Sequence, residues 1–187
     1  MSASPFILNT HDLPRRAGEM KELQLDIPAP VAIGLPLIAV PEGDLLELDI
    51  RLESVTEGVL VTADLYTVAV GECIRCLDPV EVIIDKQIRE LYRYEATNGR
   101  GQKVDKEDDL DDEEVLVMEG DDLNLELPIV DTVILNLPSN PLCDPDCEGL
   151  CQDCGEKWAN LPEDHQHELA DPRWAGLDGL DLGEKEK

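Results

Sequence analysis

The sequence predicts an α+β fold: an antiparallel β-meander with one packed helix and a small C-terminal cysteine-rich zinc knuckle. Three observations carry that expectation. From residue 45, Leu46, Leu48, Ile50 and Leu52 alternate with Glu47, Asp49, Arg51 and Glu53, a period of two that marks a half-buried strand. Further on, the run LNLELPIVDTVILNLP places Leu125, Ile129, Val133 and Leu137 at intervals of four, one face of a helix. Finally, Cys143, Cys147, Cys151 and Cys154 stand close together among Asp, Pro and Gly. The chain has 187 residues, of which 42% are hydrophobic and only 3% aromatic, so the core must be built mainly from Leu, Val and Ile.

Residues 1–43 read as an irregular N-terminal segment, with proline at 5, 14, 28, 30, 36 and 41 and short extended pieces at 6–9 and 23–27. Residues 44–142 form the β-rich core domain. After the strand that begins at 45, residues 54–58 read as a turn. A second strand over 59–70 follows, with Val59, Val61, Ala63 and Leu65 on one face. Gly71 and a Cys-x-x-Cys precede a third strand from 80 to 94, where Val82 and Ile84 alternate but the period blurs around Gln87, Ile88 and Leu91. Residues 96–121 are dense in Asp and Glu and read as a solvated acidic loop, or else as a docking strip for a basic partner.

The helix is expected near 124–137. Asn124 stands at its N-cap, Pro128 is tolerated only in the first turn, and Pro138 closes it. The frequency of Ile, Val and Thr there leaves a strand as the alternative. Residues 143–160 are the zinc-binding knuckle, and residues 161–187 a polar tail in which Asp171 to Leu177 begins like a capped helical turn.

Zinc takes four ligands in a tetrahedron, and thiolates at about 2.3 Å supply them without redox demands. Cys143, Cys147, Cys151 and Cys154 meet that need, and the Gly155 that follows lets backbone amides approach the sulfurs. Disulfides or an iron–sulfur cluster are the weaker alternatives. A second pair, Cys73 and Cys76, lies between two expected strands, a poor place for a thioredoxin-type motif, which opens a helix. Two partitions of the thiols stay open. Either the C-terminal four share one structural Zn2+ and Cys73 and Cys76 stand apart, or Cys73 and Cys76 share an ion with two of the later cysteines. His165 and His167, in a polar tail, read as exposed, with ligation the lesser reading.

Formal net charge is −28, a field that repels nucleic acid phosphates and favours basic partners. Nothing approaches the roughly 20 consecutive apolar residues of a membrane span, and residues 1–16 lack the basic and apolar regions of a secretory signal. A cytoplasmic protein with no membrane association is the expectation. No P-loop, G-x-S-x-G or HExxH is present. The chain therefore reads as a non-enzyme without a small-molecule substrate, a thiol oxidoreductase using Cys73 and Cys76 being the one catalytic alternative. Arg15, Arg16, Lys21 and Arg75 are the residues placed to touch RNA if any do, although isolated basic residues are usually just solvated.

Taken together, Cys73-Ile74-Arg75-Cys76, the run Ile134-Leu135-Asn136-Leu137-Pro138 and the segment PLCDPDCEGLCQDCG from Pro141 to Gly155 resemble the YceD family, the large ribosomal RNA subunit accumulation proteins. The segment Asp171 to Leu177 is similar to the tail of many members, and residues 10–22, with Leu13, Arg15, Arg16, Gly18, Glu19 and Met20, resemble the N-terminal segment of actinobacterial ones. The resemblance implies a part in large-subunit ribosome biogenesis, with a large-subunit precursor or a basic ribosomal protein as partner. Genes of this family often neighbour one for a large-subunit ribosomal protein. Two departures bear on the metal. Many members continue the last CxxCG with Asn-Leu-Asn and further cysteines where this chain has Glu156 to Leu161, and some relatives lack most cysteines. Both make the metal architectural. A zinc-ribbon adaptor in transcription or RNA metabolism is the alternative, but Asp144, Asp146, Glu148, Asp153 and Glu156 around the knuckle favour a protein partner over nucleic acid.

Overall fold

A computed structural model of the chain describes residues 4–95 and 116–167. Eight strands and one helix follow in chain order: β1 (Ile7–Asn9), β2 (Met20–Pro28), β3 (Ile33–Leu35), β4 (Ile38–Val40), β5 (Leu45–Ser54), β6 (Gly58–Glu72), β7 (Pro79–Arg93), β8 (Asp122–Asn124) and α1 (Glu126–Asn136). The expected meander is β5–β6–β7, antiparallel throughout. Strand β6 is its spine. β7 pairs along its full length on one side, and β5 and then β4 share the other. The outer positions are taken by β2 beside β5 and β3 beside β4. Among the described residues no helix is long and apolar enough to cross a membrane.

The alternation decides which face is buried. Leu46, Leu48, Ile50 and Leu52 on β5 and Val59, Val61, Ala63 and Leu65 on β6 all point inward, and Ile84, Ile88 and Tyr92 continue the same face onto β7. The blurred period of β7 has a structural cause. It is the end strand beyond β6, so between Ile84, Ile88 and Tyr92 its inward positions Lys86 and Glu90 stay exposed. The inner face is covered by α1, which packs against β3 and β7, and by the small β1–β8 sheet. The helix buries Ile129 and Val133, with Leu125 and Leu137 just outside its ends, as the four-residue spacing requires. Asn124 acts at its start one position early: its Oδ1 accepts the backbone N–H of Glu126 at 2.9 Å, while Leu125 holds the N-cap position.

Two expectations are corrected. The N-terminal segment is not irregular but supplies four strands. The longest, β2, pairs with β5 from Met20↔Glu53 to Pro28↔Leu45, because Leu23, Leu25 and Ile27 extend the inward rows of β5 while the flanking charges face water. The acidic loop ends sooner than 121. Arg93 donates to the carbonyl of Leu116 and Met118 donates to that of Arg93, so the chain rejoins the end of β7 and buries Met118. Residues 96–115, and the tail from 168 that includes the turn expected at 171–177, lie outside the described residues.

Candidate metal centres

The turn between β6 and β7 carries Cys73 and Cys76. The N–H of Cys73 donates to the carbonyl of Asp78 at 2.7 Å, and the N–H of Leu77 to that of Cys73 at 2.9 Å. To close this turn Leu77 takes a left-handed backbone, φ 63°. That conformation costs an L-residue about 1–2 kcal/mol, and Leu77 recovers little by packing, being 62% exposed. Leu77→Gly is therefore expected to hold stability or raise it by up to about 1 kcal/mol, part of the relief being offset by glycine's backbone entropy. A denaturant midpoint lowered by more than that amount would show that the side chain matters more than the turn.

The C-terminal segment folds back on this turn. Ile74 donates its N–H to Pro141, Leu150 donates to Arg75, and the Arg75 guanidinium donates to the Cys147 carbonyl at 2.6 Å. Gly149 packs so tightly on Arg75 that a Cβ would lie 3.0 Å from its carbonyl oxygen, and its φ of +86° is itself a glycine conformation. Lys157 forms an ion pair with Asp78 at 2.5 Å, both half-exposed.

These contacts divide the cysteines. Cys73, Cys76, Cys143 and Cys147 converge, with ligand atoms within 4.8 Å of one another. Cys73 Sγ lies 3.8 Å from Cys147 Sγ, and Cys76 Sγ 3.4 Å from Cys143 Sγ. Cys151 and Cys154 do not join them but face His165 and His167, again with ligand atoms within 4.8 Å. The four C-terminal sulfurs thus do not meet at one point. The turn between Cys147 and Cys151, built on Gly149, sends the two pairs to different partners. None of the six cysteines is in a disulfide.

Burial pushes the Cys73 thiol up, but backbone hydrogen bonds from Cys143, Arg75 and Cys76 outweigh it and bring it down to about 6. Cys151 is likewise lowered to about 6, chiefly by backbone hydrogen bonds from Cys154 and Asp153. Cys76 is pushed well up: the backbone bond at Asp78 lowers it, but burial and the neighbouring thiols of Cys143, Cys73 and Cys147 prevail. In the four-cysteine cluster Cys73 is thus lowered while the thiols beside it hold Cys76 up. A cation would resolve that conflict. Either cluster can hold a metal ion.

The basic residues singled out from the sequence are placed differently from one another. Arg15 pairs with Asp121 at 2.7 Å and lies over the Tyr94 ring, Lys21 stands 3.7 Å from Asp12, and Arg75 is committed to Cys147. Arg16 is exposed. Three of the four are thus already engaged with groups of the protein itself. His165 and His167, expected to be exposed, are half-buried and stand beside Cys151 and Cys154. The sequence signal for that placement is a Cys-x-x-Cys followed at short range by His-x-His, a two-plus-two donor spacing that does not need the earlier cysteines.

Comparison with known proteins shows the family. Residues 61–181, more than half of the chain and including all eight clustered Cys and His, match the family described as "Large ribosomal RNA subunit accumulation protein YceD". Uncharacterized proteins from Mycobacterium tuberculosis H37Rv and Mycobacterium bovis are each 45% identical over 94% of this chain and 81% of their own length. A Mycobacterium leprae counterpart is 38% identical over 93% of this chain and 76% of its own. No solved structure matches. The chain belongs to the YceD family of large ribosomal RNA subunit accumulation proteins.

Proposed function

We propose that this protein supports large-subunit rRNA accumulation without catalysis, by docking a basic ribosomal protein, free or on a pre-ribosomal particle, in the cytoplasm. The observation that carries this reading is the open face of the sheet. Across it, Gln24, Asp49, Asp64 and Gln87 stand in register, with Asp26, Glu47, Tyr66 and Asp85 in the next row and Glu22, Arg51, Thr62 and Arg89 in the row on the other side. The two Asp side chains that face each other across β5 and β6 each accept a hydrogen bond from a flanking Gln amide, at 2.6 and 2.8 Å, which holds both carboxylates in place on the surface. Toward one end the same face exposes Tyr66, Val70 and Ile83. Carboxylates beside exposed apolar groups suit an amphipathic, Lys/Arg-rich protein segment, whereas RNA phosphate would meet repulsion.

Zinc at Cys73, Cys76, Cys143 and Cys147 would serve this role as a staple, fastening the C-terminal segment to the β6–β7 turn. Four convergent thiol ligands from two distant segments support a closed structural site. Nothing in such a site leaves a coordination position for a substrate.

The test is affinity purification of the tagged protein from growing cells at low and high salt, with wild type beside Glu47→Lys/Asp85→Lys. Wild type is expected to retain a basic large-subunit protein or large-subunit precursors at low salt and to lose them at high salt. The variant, reversed on both sides of Tyr66, is expected to lose at least about tenfold in recovery. Undiminished recovery by the variant, or no large-subunit component with wild type, would overturn the proposal.

A further inference from the structure

We propose that Cys151, Cys154, His165 and His167 form a second metal site, a Cys2His2 site for Zn2+ that loads independently of the four-cysteine cluster. Three observations converge on it. First, the two Cys-x-x-Cys turns are built alike. In both, the first cysteine's N–H donates to the carbonyl five residues on, at 2.7 Å, to Asp78 in one and Glu156 in the other. In both, its carbonyl accepts the N–H four residues on at 2.9 Å, from Leu77 or Gly155, and that residue is left-handed, with φ 63° or 73°. One backbone shape therefore presents both cysteine pairs, and in the β6–β7 turn that shape aims two sulfurs at two further donors.

Second, two further donors are also in place at the later turn. Residues 162–167 return across Cys151 and Cys154 through a turn in which the His165 N–H donates to Pro162 at 2.9 Å. His165 Nε2 lies 3.6 Å from Cys154 Sγ, and its ring meets Trp158 and His167 edge-on, at centroid distances of 5.6 and 4.4 Å. Third, His167 Nε2 is covered from solvent and has no hydrogen-bond partner. A covered ring nitrogen without a partner is costly. A ring nitrogen of His167 lies within 4.8 Å of two sulfurs and another imidazole, the place a cation would occupy.

The donor set selects the ion class. Two thiolates and two neutral imidazoles suit a borderline-soft tetrahedral cation, which is zinc rather than calcium or magnesium. No ligand is shared with the other cluster, and all four donors come from one short stretch of chain. Either site can therefore be emptied alone. The ion would fix residues 161–167 and the Trp158 side chain against the knuckle.

The test is zinc stoichiometry of the full-length protein by native mass spectrometry, with cobalt substitution to report the ligand type. Wild type is expected to carry two ions, and His165→Ala/His167→Ala one. Cys73→Ser/Cys76→Ser should also carry one, whose cobalt spectrum is that of a mixed sulfur–nitrogen site. Wild type with a single ion at saturating zinc, or the double His variant still carrying two, would overturn the proposal. The His variant leaves the sheet and the four-cysteine cluster untouched, so its result stands even if the Cys variant does not fold. Neither result depends on which ribosomal partner the protein binds.

Discussion

Removing metal by a strong chelator is expected to release residues 141–167 while the sheet stays folded. The reason lies in how little else holds that segment. Between Pro141 and His167 the segment buries little apolar surface: Leu142, Leu150 and Leu161 are only half-buried, Cys143 and Cys154 are exposed, Trp158 is 38% exposed, and Pro141, Gly149 and Cys151 are the buried positions. What remains is a set of hydrogen bonds to the β6–β7 turn and one ion pair, Lys157 with Asp78, half in solvent. Isolated contacts of that kind are worth roughly 1 kcal/mol each or less. Structural zinc, by contrast, supplies about 10–16 kcal/mol in small zinc-finger peptides, so an ion bound at these clusters would order the segment far more than its own contacts do. Hydrogen exchange can read this directly. The amides of Leu150, Cys151 and Gly155, each bonded within the segment or to Arg75, should exchange at least about a hundredfold faster in the apo protein, a change of roughly 3 kcal/mol or more in local opening. Amides of β5 and β6 should change little. Equal protection of both regions with and without metal would show that the segment is held by its hydrogen bonds alone.

What could be read from the sequence follows the range of the interaction involved. The inward faces of β5 and β6 and the buried stripe of α1 were legible because a period of two or of four is a local signal, and one apolar environment serves each face. β2 was only partly legible. Its Leu23, Leu25 and Ile27 carry the same alternation, but the surrounding prolines masked how far it extends, and pairing with β5 supplies the rest. The division of the cysteines was legible only as one of two open alternatives. Cys76 lies 67 residues from Cys143, and Cys73 lies 74 from Cys147. No spacing rule reaches so far. Only the hydrogen bonds of Ile74 and Arg75 to the returning chain decide it. The open acidic face belongs to the same category: each carboxylate reads as an ordinary solvated charge until strand register puts Asp49 opposite Asp64.

Phe6→Ala is expected to destabilise the whole protein by about 3–5 kcal/mol, the range for truncating a buried phenylalanine, and so to lower Tm by on the order of 10 °C for a chain of this size. Phe6 is the single phenylalanine in the sequence and is only 2% exposed. It lies in the same core as the inward face of the sheet and the buried stripe of α1. Its backbone adds a second link, because its carbonyl accepts the N–H of Leu125 at 3.0 Å where the helix begins. Strand β1 is only three residues long and pairs with the equally short β8, too little ladder to hold the N-terminal segment without a buried anchor. Truncation would leave a cavity in a core that has few other large side chains to collapse into it, since aromatics are only 3% of the chain. The neighbouring Ile7, 43% exposed, makes the internal control: Ile7→Ala should cost about 1 kcal/mol or less. The metal clusters draw all their ligands from residues 73–167, so metal content of folded Phe6→Ala should equal that of wild type. A loss below about 1 kcal/mol would mean that the N-terminal strand only lies over the core, and a loss of metal along with stability would mean that sheet and knuckles fold as one unit.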